Sequence, residues 1–299
     1  MSFLKRLGRQ ETRRRAVVIG LDGTPHSLIT RLTDEGVMPR FAEMVKVGTL
    51  VPNTSVHPTV SSVAWSCYMT GRNPGQHGIF GFIDRQPGSY KVSIPTSRDM
   101  KCETLWEILS RAGKRVVVMN VPVTFPPRPV NGILIGGFLS PNVDKAVYPP
   151  AVAERLKTWG YRLDIDPWTA RRDKDKLLED FRLTLARRAE AMFHLMNEEE
   201  WDFFQCHVME TDRLHHFLWE EMVTDHPRYA PAFRDCYTRI DQVLGQIWDR
   251  LDDHTTLIVL SDHGFCTLDR EVYVNTWLER NGWLSFENVP PDEPPTLEH

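Results

Sequence analysis

The chain has 299 residues, 41% of them hydrophobic and 25% charged, and its 36 Lys and Arg against 40 Asp and Glu give a net charge of −4. That length exceeds an ordinary domain of roughly 100–200 residues but suits one large α/β domain, alone or with insertions. The composition excludes a mainly disordered chain, the acidic balance argues against a nucleic-acid binder, and no apolar run of about 18 residues is present to form a transmembrane helix.

The first segment is basic, with Lys5, Arg6, Arg9, Arg13, Arg14 and Arg15, and reads as a solvated tail without a secretory apolar core. A short membrane-surface contact through Phe3 and Leu4 is the alternative. Ala16 to Leu21 is continuously apolar and β-branched, as in a buried parallel strand, and Asp22-Gly23-Thr24-Pro25 forms a turn at its end. Short helices are predicted at 28–32 and 39–47, separated around Gly36, and another runs from Ser61 to Met69 and stops at Gly71. A helix over 102–111 leads to strands at 115–119 and 132–136. Leu177, Leu178, Phe181, Leu185, Ala189 and Met192 then recur at helical spacing inside a long helix over 173–200. A strand at 202–208, helices at about 213–222 and 230–251, and a strand at 255–260 complete the pattern. Strand and helix alternate, which predicts a three-layer α/β/α sandwich with a mostly parallel central sheet. Cys67, Cys102, Cys206, Cys236 and Cys266 are scattered, odd in number and free of CxxC spacing, which favours reduced thiols and a cytoplasmic setting.

Three clusters fall just past strand C-termini, where α/β proteins carry their chemistry: Asp22, Asp212 with His216, and Asp262 with His263. Each has a structural alternative. Asp22 alone could be a turn former or helix cap. Asp212 and His216 lie four apart and share a helix face, which also describes an ordinary surface pair, and the rival His215 points roughly 100° away. Parallel strands deliver their C-terminal ends to one sheet edge, so the carboxylates would repel one another there unless a cation neutralised them. Asp and His donors suit zinc or manganese. Ser61 opens a predicted helix, as an N-cap or as a nucleophile beside an anion held at the helix N-terminus; phosphate is the natural anion.

Val-Ile-Gly-Leu-Asp-Gly at 18–23, Pro-Thr-Val-Ser at 58–61, Thr-Gly-Arg-Asn-Pro-Gly-Gln-His-Gly-Ile at 70–79, Thr-Asp-Arg-Leu-His-His at 211–216 and Ser-Asp-His-Gly at 261–264 stand in an order and spacing that resembles the alkaline phosphatase superfamily, type I phosphodiesterase/nucleotide pyrophosphatase branch. The resemblance runs from about Ala16 to Gly282. It implies a metal-dependent phosphohydrolase, cleaving phosphodiester or phosphomonoester bonds through a phospho-serine on Ser61. It also implies two divalent metals, zinc or manganese. Asp22, Ser61, Asp262 and His263 would hold one; Asp212 and His216 would hold the other, whose water completes hydrolysis. The implied partner is a small phosphorylated substrate, with no nucleic acid. Arg72, Arg85, Arg213 and Arg270 are candidates to reach a second phosphate.

Two departures qualify this pattern. Ala64 stands where the nucleotide pyrophosphatases carry an asparagine that binds a phosphate oxygen, which points to altered substrate choice. A third histidine for the second metal is missing, because His299 is the only histidine after His263. The second site is therefore expected to be incomplete, and the domain is expected to be truncated at its C-terminal end. The expected division is a basic tail at 1–14, a phosphatase-like domain at 15–288 with a cap insertion at 80–100 and 140–200, and a frayed end or tag remnant at 289–299. Two other functions fit the same motifs: a phosphomutase or phosphonate hydrolase, and a catalytically impaired relative that only binds a phosphorylated ligand.

Overall fold

A computed structural model describes residues 13–85, 88, 89 and 91–285, so most of the expected basic tail and all of 289–299 lie outside the described residues. The described residues up to Phe265 form one compact unit, and those from Cys266 onward belong to a second. In the first unit six strands make one sheet in the order β6-β5-β4-β7-β1-β8. These are β1 (Arg15–Leu21), β4 (Val116–Met119), β5 (Gly132–Ile135), β6 (Val147–Tyr148), β7 (Phe203–Val208) and β8 (Thr255–Leu260). Within this sheet, among the described residues, only the β5–β6 pair is antiparallel. A separate small ribbon pairs β2 (Asp84–Arg85) with β3 (Val92–Ser93).

The apolar runs of β1, β4, β5 and β7 are buried on both faces, whereas the edge strand β8 is only partly buried and exposes Ile258. In β1, Val17, Ile19 and Leu21 join one core while Val18 joins the other, as the two-residue period of a strand requires. The larger core is roofed by α1 (His26–Asp34), α2 (Pro39–Val47), α8 (Lys174–Glu198), α9 (Glu210–Val223) and α10 (Tyr229–Trp248). The smaller core lies under α3 (Ser61–Thr70) and α5 (Leu105–Arg111), through Trp65, Met69 and Trp106. The expected α/β/α sandwich with a mostly parallel sheet is therefore the observed architecture.

Element boundaries moved where caps act. The helix expected from residue 102 begins at Leu105, because Thr104 and Glu107 form a reciprocal capping box. Asp173 caps α8 by accepting from the N–H groups of Asp175 and Lys176. The short elements α4 (Pro74–His77), α6 (Val152–Thr158), α7 (Pro167–Arg172), β2, β3 and β6 have too few residues to show a periodic pattern. In the second unit, α11 (Val274–Arg280) buries none of its side chains within the described residues, and Trp277 is exposed.

Candidate active site

The register of the three central strands fixes where the site sits. Leu21 pairs with Val208, and Gly20 pairs with Leu260, so Asp22, the first turn of α9 and the Ser261–Gly264 turn all leave the same carboxyl edge. Thr24 N–H donates to Ser261 Oγ at 2.8 Å, and Thr211 Oγ1 donates to the Asp22 carbonyl at 2.6 Å, tying the three turns together. Gly23 has φ of +63°, and a Cβ there would lie 3.1 Å from Asp212 Oδ1 and 3.2 Å from His263 Cε1. Glycine at this position lets both of those residues close over the turn.

Asp22 is fully buried and its two oxygens have different surroundings. Oδ2 accepts from His207 Nε2 at 2.7 Å and from Trp65 Nε1 at 2.8 Å. Oδ1 accepts from Ser61 Oγ at 3.1 Å and lies 3.5 Å from His263 Nε2. Burial pushes the Asp22 pKa up, but the hydrogen bond and charge of His207, with His263 and the Trp65 N–H, outweigh it and hold the carboxyl below its ordinary value.

Ser61 is the first residue of α3, and the capping position belongs to Val60, whose side group forms no cap. The hydroxyl turns instead to Asp22 and to His263 Nε2, which is 3.0 Å away. His263 Nδ1 lies 2.8 Å from the Gly264 carbonyl. A carbonyl can only accept, so Nδ1 is the donor of that pair, and Nε2 faces Ser61 and the carboxylates. Asp262 Oδ1 accepts from Gly23 N–H at 3.2 Å, while its buried Oδ2 has no hydrogen bond. Burial and then the neighbouring Asp22 charge push the Asp262 pKa well above the usual carboxylate range.

Asp22, Asp212 and His263 each offer one ligand atom, and these atoms all lie within 4.8 Å of one another. Three buried or nearly buried acidic groups beside an imidazole nitrogen, one of them with an oxygen that has no hydrogen bond, form a donor set that fits a divalent cation. A ligating histidine that donates its other N–H to a backbone carbonyl is the usual arrangement at such centres. The geometry draws Asp212 to Asp22 and His263, whereas the motifs alone placed it in a separate group with His216. His216 is half-exposed and its Nε2 lies 3.5 Å from Asp212 Oδ1; the hydrogen bond and charge of Asp212 raise its pKa. His215 faces away: its Nδ1 is 3.0 Å from the Gly23 carbonyl, its Nε2 2.8 Å from Tyr237 Oη, and burial pushes its pKa down to about 3. Arg213 is paired with Asp164 at 2.6 Å and lies over the Phe138 ring.

His207 and Trp65 were not singled out from the sequence. The available signal was the polar pair Gln205 and His207, spaced by two within the apolar strand β7, which marks a strand face that meets polar partners. For Trp65 it was the four-residue step from Ser61 along α3.

Residues 16–290 match the family model described as type I phosphodiesterase/nucleotide pyrophosphatase. The fold is similar to that of phosphonoacetate hydrolase from Sinorhizobium meliloti 1021, solved with phosphonoformate (TM-score 0.68, 18% identity, 90% of this chain and 62% of that one) and with phosphonoacetate (TM-score 0.69, 18% identity, 91% and 62%). It is also similar to murine ectonucleotide pyrophosphatase/phosphodiesterase 5 (TM-score 0.57, 18% identity, 90% and 62%). The chain thus spans less than two thirds of the length of these structures. With the motifs, the sheet edge and the family match in agreement over most of its length, the chain belongs to the type I phosphodiesterase/nucleotide pyrophosphatase family.

Proposed function

We propose that this protein is a metal-dependent phosphohydrolase that cleaves a phosphodiester or phosphomonoester bond with Ser61 as nucleophile. The observation that carries the reading is the position of Ser61 Oγ, 3.1 Å from Asp22 Oδ1 and 3.0 Å from His263 Nε2. A serine hydroxyl that donates to a buried carboxylate has a path for its proton as it attacks. Its place in the first turn of α3 also puts the N–H groups of a helix N-terminus beside the incoming phosphate, where they favour negative charge.

Asp22, Asp212, Asp262 and His263 would hold a divalent cation, zinc or manganese, with His216 at the margin toward a second one. A cation bound there supplies charge neutralisation and lowers the pKa of an oxygen nucleophile. The residues themselves do the positioning: Asp22 and His263 orient the Ser61 hydroxyl, and Gly23 N–H holds Asp262. Attack by Ser61 forms the Oγ–P bond and breaks the ester P–O bond, giving a phospho-serine and an alcohol. Water then cleaves Oγ–P and returns the hydroxyl. Ala64 is buried near the nucleophile and offers no side-chain donor, so the substrate differs from that of relatives with asparagine there. The free Cys67, Cys102, Cys206, Cys236 and Cys266 fit a reducing, cytoplasmic setting, which belongs to the same proposal.

The expected outcome for Ser61→Ala is loss of more than about 1,000-fold in kcat toward an aryl phosphodiester with zinc or manganese supplied, while zinc binding by Asp22 and His263 persists. Unchanged turnover in that variant sinks the mechanism. The phosphomutase reading predicts transferred phosphate instead of free phosphate, and product analysis separates the two.

A further inference from the structure

A cavity of about 250 Å³ is lined by Phe82, Ile94, Val123, Phe125, Phe138 and Leu139, with Ser62, the residue after the nucleophile, at its wall. Two links place it against the candidate site. Ser62 directly follows Ser61 in α3. Phe138 carries the guanidinium of Arg213 over its ring at 4.9 Å, and Arg213 directly follows Asp212. Whatever is esterified to a phosphate held at Ser61 therefore has this cavity as its neighbour.

Three features show that the cavity is built and is not a packing defect. Val123 and Leu139, both in its wall, hold φ of 60° and 72°. A left-handed conformation is costly for any residue but glycine and rare for a β-branched one, and such strain persists where surrounding structure imposes it, often at ligand sites. The Phe82 and Phe138 rings meet edge to face at 5.4 Å, giving the cavity a rigid aromatic wall. At its mouth, Ile94 and Leu139 are 55% and 46% exposed, an apolar rim presented to water without a covering partner among the described residues.

The polar inventory is short. Thr96 Oγ1 already donates to Asp99 Oδ2 at 2.9 Å. Ser62 Oγ has no hydrogen-bond partner but is closed off by burial, so the wall presents almost no free side-chain donor or acceptor. A nucleoside would bring several ring and ribose donors and acceptors into this space and leave most of them unpaired, which is costly. The volume falls below the roughly 300–1,000 Å³ of sites for larger ligands, yet exceeds the apolar cavity of about 150 Å³ that accepts benzene.

We propose that this cavity is the specificity site for a small apolar organic group, a single aromatic ring or a short alkyl group with at most one oxygen, on the phosphorus of the ligand bound at Ser61; this rests on the phosphohydrolase reading above. It selects such ligands over nucleotides. The test is calorimetric titration of the zinc-loaded protein with methylphosphonate and phenylphosphonate, which share an anion and differ only in the group offered to the cavity. Phenylphosphonate is expected to bind about tenfold tighter or better, from the apolar area it buries. Ile94→Asp, at the exposed rim, should reduce that ratio several-fold, and Phe138→Ala should do so through the wall, with thermal melting to verify that each variant is folded. Equal affinities for the two phosphonates, or a ratio untouched by both substitutions, overturn the specificity site and leave the phosphohydrolase reading standing. Binding of neither phosphonate removes the anion site itself, and both inferences fall.

Discussion

His207 shows how one residue can set the behaviour of another. Its Nε2 must donate to Asp22 because a carboxylate only accepts, and with the Trp65 N–H it saturates Oδ2. Oδ1 is then the oxygen left for Ser61 and for a cation. Removing that donor frees the carboxylate to rotate and leaves a buried charge short of a partner. His207→Phe is therefore expected to weaken zinc binding about 10- to 100-fold, as loss of an outer partner typically does, read by competition with a chelating dye. His207→Gln, whose amide can donate, should recover part of that affinity; equal affinity in wild type and the Phe variant would refute the role. The ligand-type residues were legible from the sequence because aspartate and histidine at strand ends are chemically conspicuous. His207 was not, since a histidine inside an apolar strand has no signature until the facing atom is known.

At the scale of the element, α9 delivers Asp212 and is pinned through its first turn. Glu210 accepts from Arg188 Nε of α8 at 2.8 Å, and Arg188 also donates to Tyr161 Oη at 2.9 Å and to the Leu163 carbonyl at 3.1 Å. Both members of the pair are 1% exposed. A buried pair of this kind often costs about as much to desolvate as it returns, but breaking one half leaves an uncompensated charge. Arg188→Met should destabilise the protein by about 3–5 kcal/mol in urea unfolding. Adding Glu210→Leu should recover most of that loss; no recovery in the double variant would show that the guanidinium acts by packing instead. The periodicity of α8 predicted the buried Leu177, Phe181 and Leu185 correctly, yet placed no arginine in the core. Amphipathic pattern reports apolar faces and is blind to a charge that is buried because its partner is buried too.

Across the whole molecule, strands and long helices were legible as runs and periods, but their lateral order was not. The sequence pattern contains nothing that puts β1 between β7 and β8, or β6 antiparallel at the edge; crossovers and the packing of helices on both faces decide that. This order sets three acidic turns side by side, and their mutual repulsion is a stability term of the entire fold. Stripping divalent cations with a chelator should lower the melting temperature, and restoring zinc to about 100 times its dissociation constant should return about 2.7 kcal/mol. Asp22→Asn should make melting insensitive to zinc, and a wild-type melt that ignores zinc would argue against a cation at this edge.

Gly20 sits in the middle of this arrangement, paired with His207 on one side and Leu260 on the other, and brings no side chain to it. A Cβ on it would lie 2.4 Å from Cη2 of Trp65. The indole crosses β1 there on its way to Asp22, and its N–H holds it in place. Strand and helix are therefore keyed to one another by a missing atom: tryptophan at 65 is permitted only by glycine at 20. A side chain at 20 would displace the indole, so Gly20→Ala would disturb the support of Asp22 from a position that never touches it.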